Sequence, residues 1–494
     1  MCSSDLGYAS FLLGLTSAAN VSLPTNPKLG NHSLGFYAQD TWKVSRKLTL
    51  DYGLRWDYAT FRTERWGRQA TLDPLAANAA AGGQPGATVW QATCNCQWSH
   101  NYPHSWGPRL GAAYQINSKT VIRGGIGLMY NTTPRVGIAG RASPANTVSP
   151  LAFSLPAMTL STGFSLTPND IRWPNYDPNF FPLRGAVPGV VTPGPANGSV
   201  FDQNAGRPAR QLQFSIGLQR EIVRDLVIEA SYVGNTGVWW PNGALVNYNA
   251  VPFSTLAARG ININSTADAD LLRANMATAA VVARGFKIPF AGFPTTQPLF
   301  QALRPYPQFT SGLAAVDAPL NTTWYNSLQS KVTKRFSHGI DASYSFTYQK
   351  SMTASNIQDV FNRQTGRGLD PGDQRLMSVI AFTYTVPKMR GINRMLAYAL
   401  YDWQVGSILT YASGIPILAP AAQNLLANAI GQGANAIRVP GVPLFLQDLN
   451  SGDVDPRRGF YLNPAAWAQP AAGQFGGPQY YGDYRQQRQP TEAM

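Results

Sequence analysis

Cysteine, histidine and charged residues are all scarce in this sequence. Only 3 of the 494 residues are Cys and 4 are His, so a disulfide framework or a histidine-based catalytic site has few candidates. Asp, Glu, Lys and Arg together make up 13% of the chain, against about 25% in typical soluble domains. The sequence contains no GxSxG, HExxH or phosphate-loop motif. We therefore predict neither an enzymatic activity nor a bound cofactor.

Long apolar runs are absent as well. No stretch of about 18 apolar residues occurs, which excludes a transmembrane helix but not a transmembrane barrel, whose strands are apolar on one face only. Residues 1–6 have no features of a secretory signal and fit no strand pattern, and the polar C-terminal residues contain no closing strand. We expect the chain to be a fragment that lacks its true start and its last strands.

The net charge of +14 raises the question of nucleic-acid binding. The basic residues, however, are scattered singly within or beside alternating segments, and no basic run of five or more occurs. Examples are Arg55, Arg109, Arg123, Arg220 and Arg335. Because a nucleic-acid surface requires a clustered patch, we expect no nucleic-acid partner.

What the sequence does contain is alternation, which is clearest in residues 34–58. Apolar side chains occupy every second position there, with Asp40 as the one exception and a polar break at residues 45–47. Since strand side chains alternate between faces, the segment predicts a hairpin with one apolar and one polar face. Its second strand has about eleven alternating residues, as in a tilted membrane-spanning strand. Aromatic residues lie toward its far end, as in the girdles of outer-membrane barrels.

Four further hairpins repeat the pattern. They occupy residues 109–130, 211–232, 328–348 and 376–411, with turns near 117–119, 223–225, 337–339 and 387–400. Long connections separate them, and residues 266–284 within one connection are compatible with a helix. Gly125 and Gly127 on the polar face leave room for something packed inside. Short turns alternating with long loops are typical of outer-membrane barrels, although alternation alone also fits two packed soluble sheets.

These hairpins resemble the TonB-dependent outer-membrane receptors, in particular the Oar-like group. The matching segments include GFYAQDTWKVSRKLTLDYGLRWDY (35–58), GPRLGAAYQINSKTVIRGGIGLMY (107–130), QLQFSIGLQREIVRDLVIEASYVGNTG (211–237), YNSLQSKVTKRFSHGIDASYSFTYQKS (325–351) and YLNPAAWAQPAAGQFG (461–476). The YxQDxW motif, from Tyr37 to Trp42, is the most telling of them. We predict an all-β fold: an antiparallel transmembrane β-barrel with long extracellular loops.

The resemblance implies a barrel of about twenty-two strands around an N-terminal plug, in the outer membrane of a Gram-negative bacterium. It also implies uptake of a scarce nutrient of the siderophore-iron, cobalamin or glycan class, energised by the TonB–ExbB–ExbD system. On this basis residues 1–33 are an N-terminal remnant, and residues 34–494 are part of the barrel, with about 10–12 strands. Neither a plug nor a TonB box is recognisable before Leu34, and the expected partners are TonB through those missing segments, an unknown ligand and outer-membrane lipid.

The candidate binding residues are the polar ones on the inward face. We expect six of them to face the lumen or plug: Arg55, Asp57, Arg109, Arg123, Gln213 and Glu229. A weak metal constellation is formed by Cys94, Cys96, His100 and His104, for which a strained local disulfide or ordinary loop cysteines are alternatives. Residues 370–373 could bind calcium, but their spacing favours a turn.

Two further features have ordinary explanations beside functional ones. Residues 124–127 are glycine-rich but lie within a predicted strand, so they do not indicate a dinucleotide site. Several loop tryptophans could stack on sugars or planar ligands, or could be membrane-interface or loop-packing residues: Trp66, Trp90, Trp98, Trp106, Trp239 and Trp240.

Two functions compete with uptake. An adhesion or assembly barrel would use the same scaffold without a plug, and a soluble secreted carbohydrate-binding β protein would share the alternation.

Overall fold

A computed structural model describes residues 12, 19–21, 28–65, 67, 70–78, 81–94, 97–131, 151–153, 200–309, 313–337, 339–354, 359–386, 403–422, 434–447, 461–471 and 476–486. Ten long strands in this part of the chain form one antiparallel sheet, and each pairs with its neighbours in sequence. They are β1 (Ser33–Lys43), β2 (Leu48–Ala59), β3 (Ser105–Asn117), β4 (Thr120–Asn131), β5 (Ala209–Val223), β6 (Leu226–Trp240), β7 (Asn321–Ser337), β8 (Ile340–Thr353), β9 (Leu376–Thr385) and β10 (Gln404–Ala412). The five predicted hairpins are confirmed.

Short turns join the strands of the first four hairpins at one end of the sheet. Two residues separate β3 from β4, and two separate β5 from β6, where Asp225 has a positive φ of 67°. The β7–β8 turn contains Gly339 at φ +79°, and a Cβ there would lie 2.5 Å from the carbonyl oxygen of Thr385. The turn therefore requires glycine both for its backbone conformation and for the close approach. The predicted connection at 387–400 lies outside the described residues.

One face of the sheet is apolar along its whole width. The register aligns Leu110 with Ile126 and Ile126 with Phe214, and it continues with Tyr232 opposite Leu328. Many of these side chains are exposed, although they are large and apolar. A contiguous apolar surface of this size is typical of a face that contacts lipid or a partner.

Asp40, the exception in the predicted apolar face, has a partner on that face. The register places it opposite Tyr52, whose hydroxyl donates a 3.0 Å hydrogen bond to Asp40 Oδ2. The phenol of Tyr52 therefore partly satisfies the carboxylate, as a polar group on an apolar face requires.

Aromatic side chains line the apolar face at the end with the long loops. Trp56 stacks on Phe36 and Tyr58, with ring centroids 6.0 and 5.9 Å away, and contacts Trp106 at 5.9 Å. Its indole nitrogen donates a 2.7 Å hydrogen bond to the carbonyl of Pro103. These amphipathic rings, with one polar edge, suit a membrane–water interface.

The helices are short and lie in the long loops. Those with described bounds are α1 (Gln91–Cys94), α2 (Phe253–Ala258), α3 (Thr266–Arg273), α4 (Ala279–Ala283) and α5 (Leu299–Ala302), with 3-10 turns at Gly243–Leu245, Arg363–Gly366 and Pro464–Ala466. None of the described helices is long and apolar enough to cross a membrane.

The connection between β6 and β7 is a compact unit, here called the insertion (residues 242–309). Its core includes Leu256, Leu272, Val281 and Leu299, each with at most 1% of its surface exposed. The single helix predicted over residues 266–284 is wrong, because α3 ends at Arg273 and α4 begins at Ala279. The segment between them hydrogen-bonds instead to residues 297–299, and this tertiary pairing outweighs helix propensity.

Short strands complete the described loops and the C-terminal tail. Their pairs are Ala19–Val21 with Leu151–Phe153, Leu29–Gly30 with Thr63–Glu64, Ala70–Asn78 with Gln84–Trp90, Val200–Phe201 with Ala315–Val316, Gly368–Leu369 with β8, Pro416–Leu418 with Tyr480–Arg485, Ala421–Ala422 with Ala434–Asn435, and Ile437–Arg438 with Trp467–Ala468.

Candidate functional site

The six polar residues predicted to face a plug or lumen share one face of the sheet. Directly opposed residues of antiparallel strands lie on the same face. Arg109 is opposite Gly53 on β2 and Gly127 on β4, and Gln213 is opposite Gly127. The same register connects the remaining four to this face: Arg55, Asp57, Arg123 and Glu229. That the face borders a plug or lumen stays a prediction.

Each of the three arginines has a glycine directly across from it on a neighbouring strand. The pairs are Arg55 with Gly107, Arg109 with Gly53 and Gly127, and Arg123 with Gly217. Because glycine has no side chain, the long arginine side chain can lie across the adjacent strand. A Cβ at Gly127 would lie only 3.4 Å from Cγ of Arg109.

A concave trough of about 1020 Å³ lies on this polar face. Glycines of three adjacent strands form its floor, namely Gly53, Gly111, Gly125 and Gly127. Polar side chains line its sides, among them Gln39, Asp51, Arg109, Gln213 and Tyr325. The prediction that the glycines leave room on this face is confirmed, and the volume reaches the upper end of small-molecule sites, which is about 1,000 Å³.

Hydrogen bonds fix several polar side chains on this face. Nε of Arg55 donates to both carboxylate oxygens of Asp57, at 3.0 and 2.8 Å. Gln219 donates to Glu229 at 2.8 Å from the next strand. Asp57 is buried, so this bifurcated contact with Arg55 provides the counter-charge that a buried carboxylate needs.

Several polar side chains of the trough were not among the predicted site residues. Thr41 donates a 2.7 Å hydrogen bond to Asp51, and Tyr325 donates one of 2.8 Å to Gln349. The side-chain oxygen of Asn235 is buried without a hydrogen-bond partner among the described residues. Alternation was the signal that could have found Asp51, Asn235 and Tyr325, because each occupies a polar-face position of its strand. The trough thus offers carboxylate, amide and hydroxyl groups for a polar occupant.

The weak metal candidates are not assembled into a site within the described residues. Cys94 ends α1 and is disulfide-bonded, so its sulfur is not a free thiolate. His100 and His104 are exposed, and Cys96 lies outside the described residues. No group of three or more His, Cys, Asp or Glu side chains in the described ranges is placed to hold a metal ion.

Residues 370–373 form the turn that their spacing favoured. The backbone nitrogen of Asp373 donates to the carbonyl of Asp370 at 3.0 Å, and Gly372 donates to the Asp370 side chain at 2.9 Å. Asp373 is buried and forms an ion pair with Arg485, which also reaches the Asp373 carbonyl at 2.6 Å. The carboxylate therefore anchors the strand Tyr480–Arg485 to this turn. Residues 124–127 lie inside β4, as predicted.

The tryptophans assigned to loops fall into three groups. Trp106, Trp239 and Trp240 lie in strands β3 and β6, so their loop assignment is wrong. Trp98 is a buried loop residue that stacks on Phe201 with a centroid distance of 6.2 Å. Trp66 and the side chain of Trp90 lie outside the described residues.

Two guanidinium groups contact the ring of Trp239 where β6 ends. The Cζ atoms of Arg207 and Arg210 lie 3.4 and 4.3 Å from its ring centroid. Trp239 has a positive φ of 64°, and the β6–β7 register is irregular between Gly237 and Trp240. The structure extends β6 to Trp240, beyond the predicted end of this strand at residue 232.

The sequence matches the outer membrane beta barrel domain family over residues 2–489, nearly its whole length. The chain belongs to this family. A ten-stranded antiparallel meander with one apolar face is therefore part of a transmembrane β-barrel, and its place is the outer membrane of a Gram-negative bacterium. No curated protein matches the chain.

Several solved outer-membrane receptors are similar to the chain at low identity. FpvAI in its complex with pyocin S2 has 10% identity and a TM-score of 0.35, over 80% of this chain and 30% of FpvAI. The alcaligin receptor FauA of Bordetella pertussis has 11% identity and a TM-score of 0.32, over 78% of this chain and 38% of FauA. The ferric-catecholate import receptor Fiu of E. coli K12 has 12% identity and a TM-score of 0.34, over 78% of this chain and 35% of Fiu. The chain thus spans about a third of the length of these receptors.

Proposed function

We propose that this chain is part of the barrel of a TonB-dependent outer-membrane receptor that takes up a scarce nutrient. The observation that carries the proposal is the polar trough, a glycine-floored concavity on the face opposite the apolar one. A barrel wall that encloses only water does not need a concavity of this kind. A wall that holds a plug or passes a solute does need one. The resemblance of the hairpins to the Oar-like group supports the same assignment.

The polar residues have distinct roles in this proposal. Arg109 and Gln213, at the trough, contact the plug or the passing ligand. Arg55 and Asp57 satisfy each other and keep the wall ordered, while Arg123 and Glu229 lie on the same face nearer the short turns. We assign residues 34–494 to the barrel and residues 1–33 to the segment that enters it, with plug, TonB box and remaining strands elsewhere in a longer protein.

The nutrient belongs to the siderophore-iron, cobalamin or glycan class, and TonB with ExbB and ExbD supplies the energy. Long loops at one end of the sheet, on the outer surface of the cell, suit capture of a dilute ligand before it reaches the trough.

Uptake by the intact bacterium tests the proposal. The gene that encodes this chain and the gene for TonB are deleted separately, and uptake of a radiolabelled ferric siderophore, cobalamin and an oligosaccharide is measured. We expect uptake of one probe to fall in both deletions and to return when the encoding gene is restored.

Matched variants localise the effect on the restored gene. Arg109→Gln, in the trough, should lower uptake several-fold. Arg46→Gln, in the exposed short turn between β1 and β2, should leave uptake unchanged. Uptake of all three probes that is indifferent to both deletions would exclude the receptor function and favour an adhesion or assembly barrel.

A further inference from the structure

The insertion contains a pocket of its own, separate from the trough. Its volume is about 470 Å³, within the usual range of small-molecule sites, roughly 300–1,000 Å³. Residues 285–289 and 302–305 form most of its wall, together with Arg259 after α2 and Gln84 from the neighbouring hairpin. It shares no lining residue with the trough.

The charges around this pocket all have the same sign. Arg259 and Lys287 are exposed, and Arg304 is buried with 7% of its surface exposed. None of the described residues that line the pocket is Asp or Glu. Three cations around one concavity repel each other and create a positive potential that attracts an anion.

Arg304 is the most informative of the three. Its Nε and one terminal nitrogen are buried without a hydrogen-bond partner among the described residues, and no described carboxylate forms an ion pair with it. Its Cζ lies 5.4 Å from the ring centroid of Phe300, which contacts it without neutralising it. Burial lowers the pKa of Arg304 to about 10.

A buried cation with free donors is unfavourable unless something pairs with it. Two largely buried arginines among the described residues do have such a partner: Arg62 is paired with Asp317 and Arg485 with Asp373. Arg304 lines the open pocket, so an anion has space to bind beside its guanidinium group.

We propose that this pocket binds a small anion with carboxylate or phosphate groups, with Arg304 at its buried base and Arg259 and Lys287 at its exposed rim. The planar guanidinium donates two parallel hydrogen bonds to either oxyanion, which a lysine does not do. The site is independent of the proposed uptake function, since anion binding to the purified protein requires neither TonB nor a plug.

Calorimetric titration of the purified full-length protein in detergent, at low ionic strength, tests the site with citrate and with inorganic phosphate as probes. We expect saturable binding of at least one anion, and at least a tenfold weaker affinity in Arg304→Gln. The matched control is Arg273→Gln in the same insertion, where Arg273 is already paired with Asp270 on the surface. The control should bind as the unmodified protein does.

A purely structural role of Arg304 is distinguished by thermal unfolding. A saturating anion should raise the Tm of the unmodified protein and not that of Arg304→Gln. Without the anion, Arg304→Gln should be at least as stable as the unmodified protein, because it loses an unpaired buried charge. A lower anion-free Tm with unchanged anion affinity would overturn the proposal.

Lys287→Gln keeps the test decisive if Arg304→Gln does not fold. Lys287 is exposed, so its replacement should leave folding intact and weaken anion binding about twofold to fivefold, with a smaller dependence on salt. Failure of both anions to bind the unmodified protein, or affinity in Lys287→Gln equal to that of the unmodified protein, would also overturn the proposal.

Discussion

Ile216 on the sheet and Val282 on the insertion are equally exposed, at 60% and 59% of their surfaces, yet they lie in different surroundings. Ile216 belongs to a continuous apolar face whose neighbouring side chains are also exposed, such as Leu218 and Ile126. Val282 lies next to the fully buried Val281, and its exposed apolar neighbours in α4 are only alanines. Isolated exposed apolar residues are ordinary in water, whereas a continuous apolar face is typical of contact with lipid or a partner. The arrangement of the exposed residues, rather than their degree of exposure, therefore distinguishes a surface in lipid from a surface in water.

The sheet and the insertion also differ in what stabilises them. The insertion has a buried core of aliphatic and aromatic side chains, as a water-soluble domain has. The sheet has continuous backbone pairing between ten strands and few buried apolar residues. In lipid the backbone pairing is obligatory, because no water satisfies an unpaired amide. Substitutions should therefore act through different mechanisms in the two regions.

The largest effect is expected for Leu299→Ala. Leu299 is fully buried in the insertion, so the substitution should destabilise the insertion by about 2–5 kcal/mol. Hydrogen exchange of peptides that span residues 253–303 measures this as faster exchange. The control Leu218→Ala, on the apolar face of β5, should cost less than about 1 kcal/mol, since lipid replaces the lost contacts. Equal losses at both positions would contradict the distinction between the two regions.

Ile216→Arg should have the next largest effect. Ile216 is at the middle of β5, and an arginine facing the bilayer midplane costs about 2–4 kcal/mol. Urea unfolding of the protein folded into lipid vesicles measures this loss. Val282→Arg, at a position of the same exposure, should change the stability of the insertion by less than about 0.5 kcal/mol. Tolerance of Ile216→Arg would mean that this face does not contact lipid.

Ser265→Ala should have a moderate effect confined to the insertion. Ser265 caps α3, and its side-chain oxygen accepts a hydrogen bond from the backbone nitrogen of Asp268 at 3.4 Å. Loss of such a cap costs about 1 kcal/mol, which hydrogen exchange detects in residues 266–273. Ser254→Ala is the control, because Ser254 lies within α2 and no side-chain hydrogen bond caps that helix. An effect of the same size in both variants would show that the cap is not the cause.

The smallest effect is expected for Tyr52→Phe, which removes the hydroxyl that donates to Asp40 on the apolar face. We expect a loss of roughly 0.5–1 kcal/mol in vesicle unfolding, because one hydrogen bond to a partly exposed carboxylate is lost. Tyr114→Phe serves as the control, since Tyr114 is on the same face and its hydroxyl has no partner among the described residues. A stabilising effect of Tyr52→Phe would indicate that Asp40 does not need this donor.

Alternation predicted most of the sheet. The apolar and polar positions of residues 34–58 match the two faces of β1 and β2, and the strands of the other hairpins match as well. The prediction missed Trp106 and Trp239, which lie near strand ends, and a register irregularity interrupts the alternation at Trp239. Periodicity is a property of regular strands, so it loses information at their irregular ends.

The candidate site was predictable only in part. The sequence placed Arg109 and Gln213 on the polar face, but it did not show that glycines of three neighbouring strands meet between them. No sequence pattern indicated that Arg304 is a candidate site residue, because the segment around it has no regular hydrophobic period. Its burial depends on how residues 285–289 and 302–305 pack together.

The sequence by itself determined which residues pair into strands, which face of each strand is apolar and where the long loops occur, because these properties follow from local alternation and turn residues. Only the tertiary structure decided how the five hairpins pair with one another, how the glycines align into a trough, and where the insertion breaks its helix and buries Arg304. Those features depend on contacts between residues far apart in the chain, and no local pattern records such contacts.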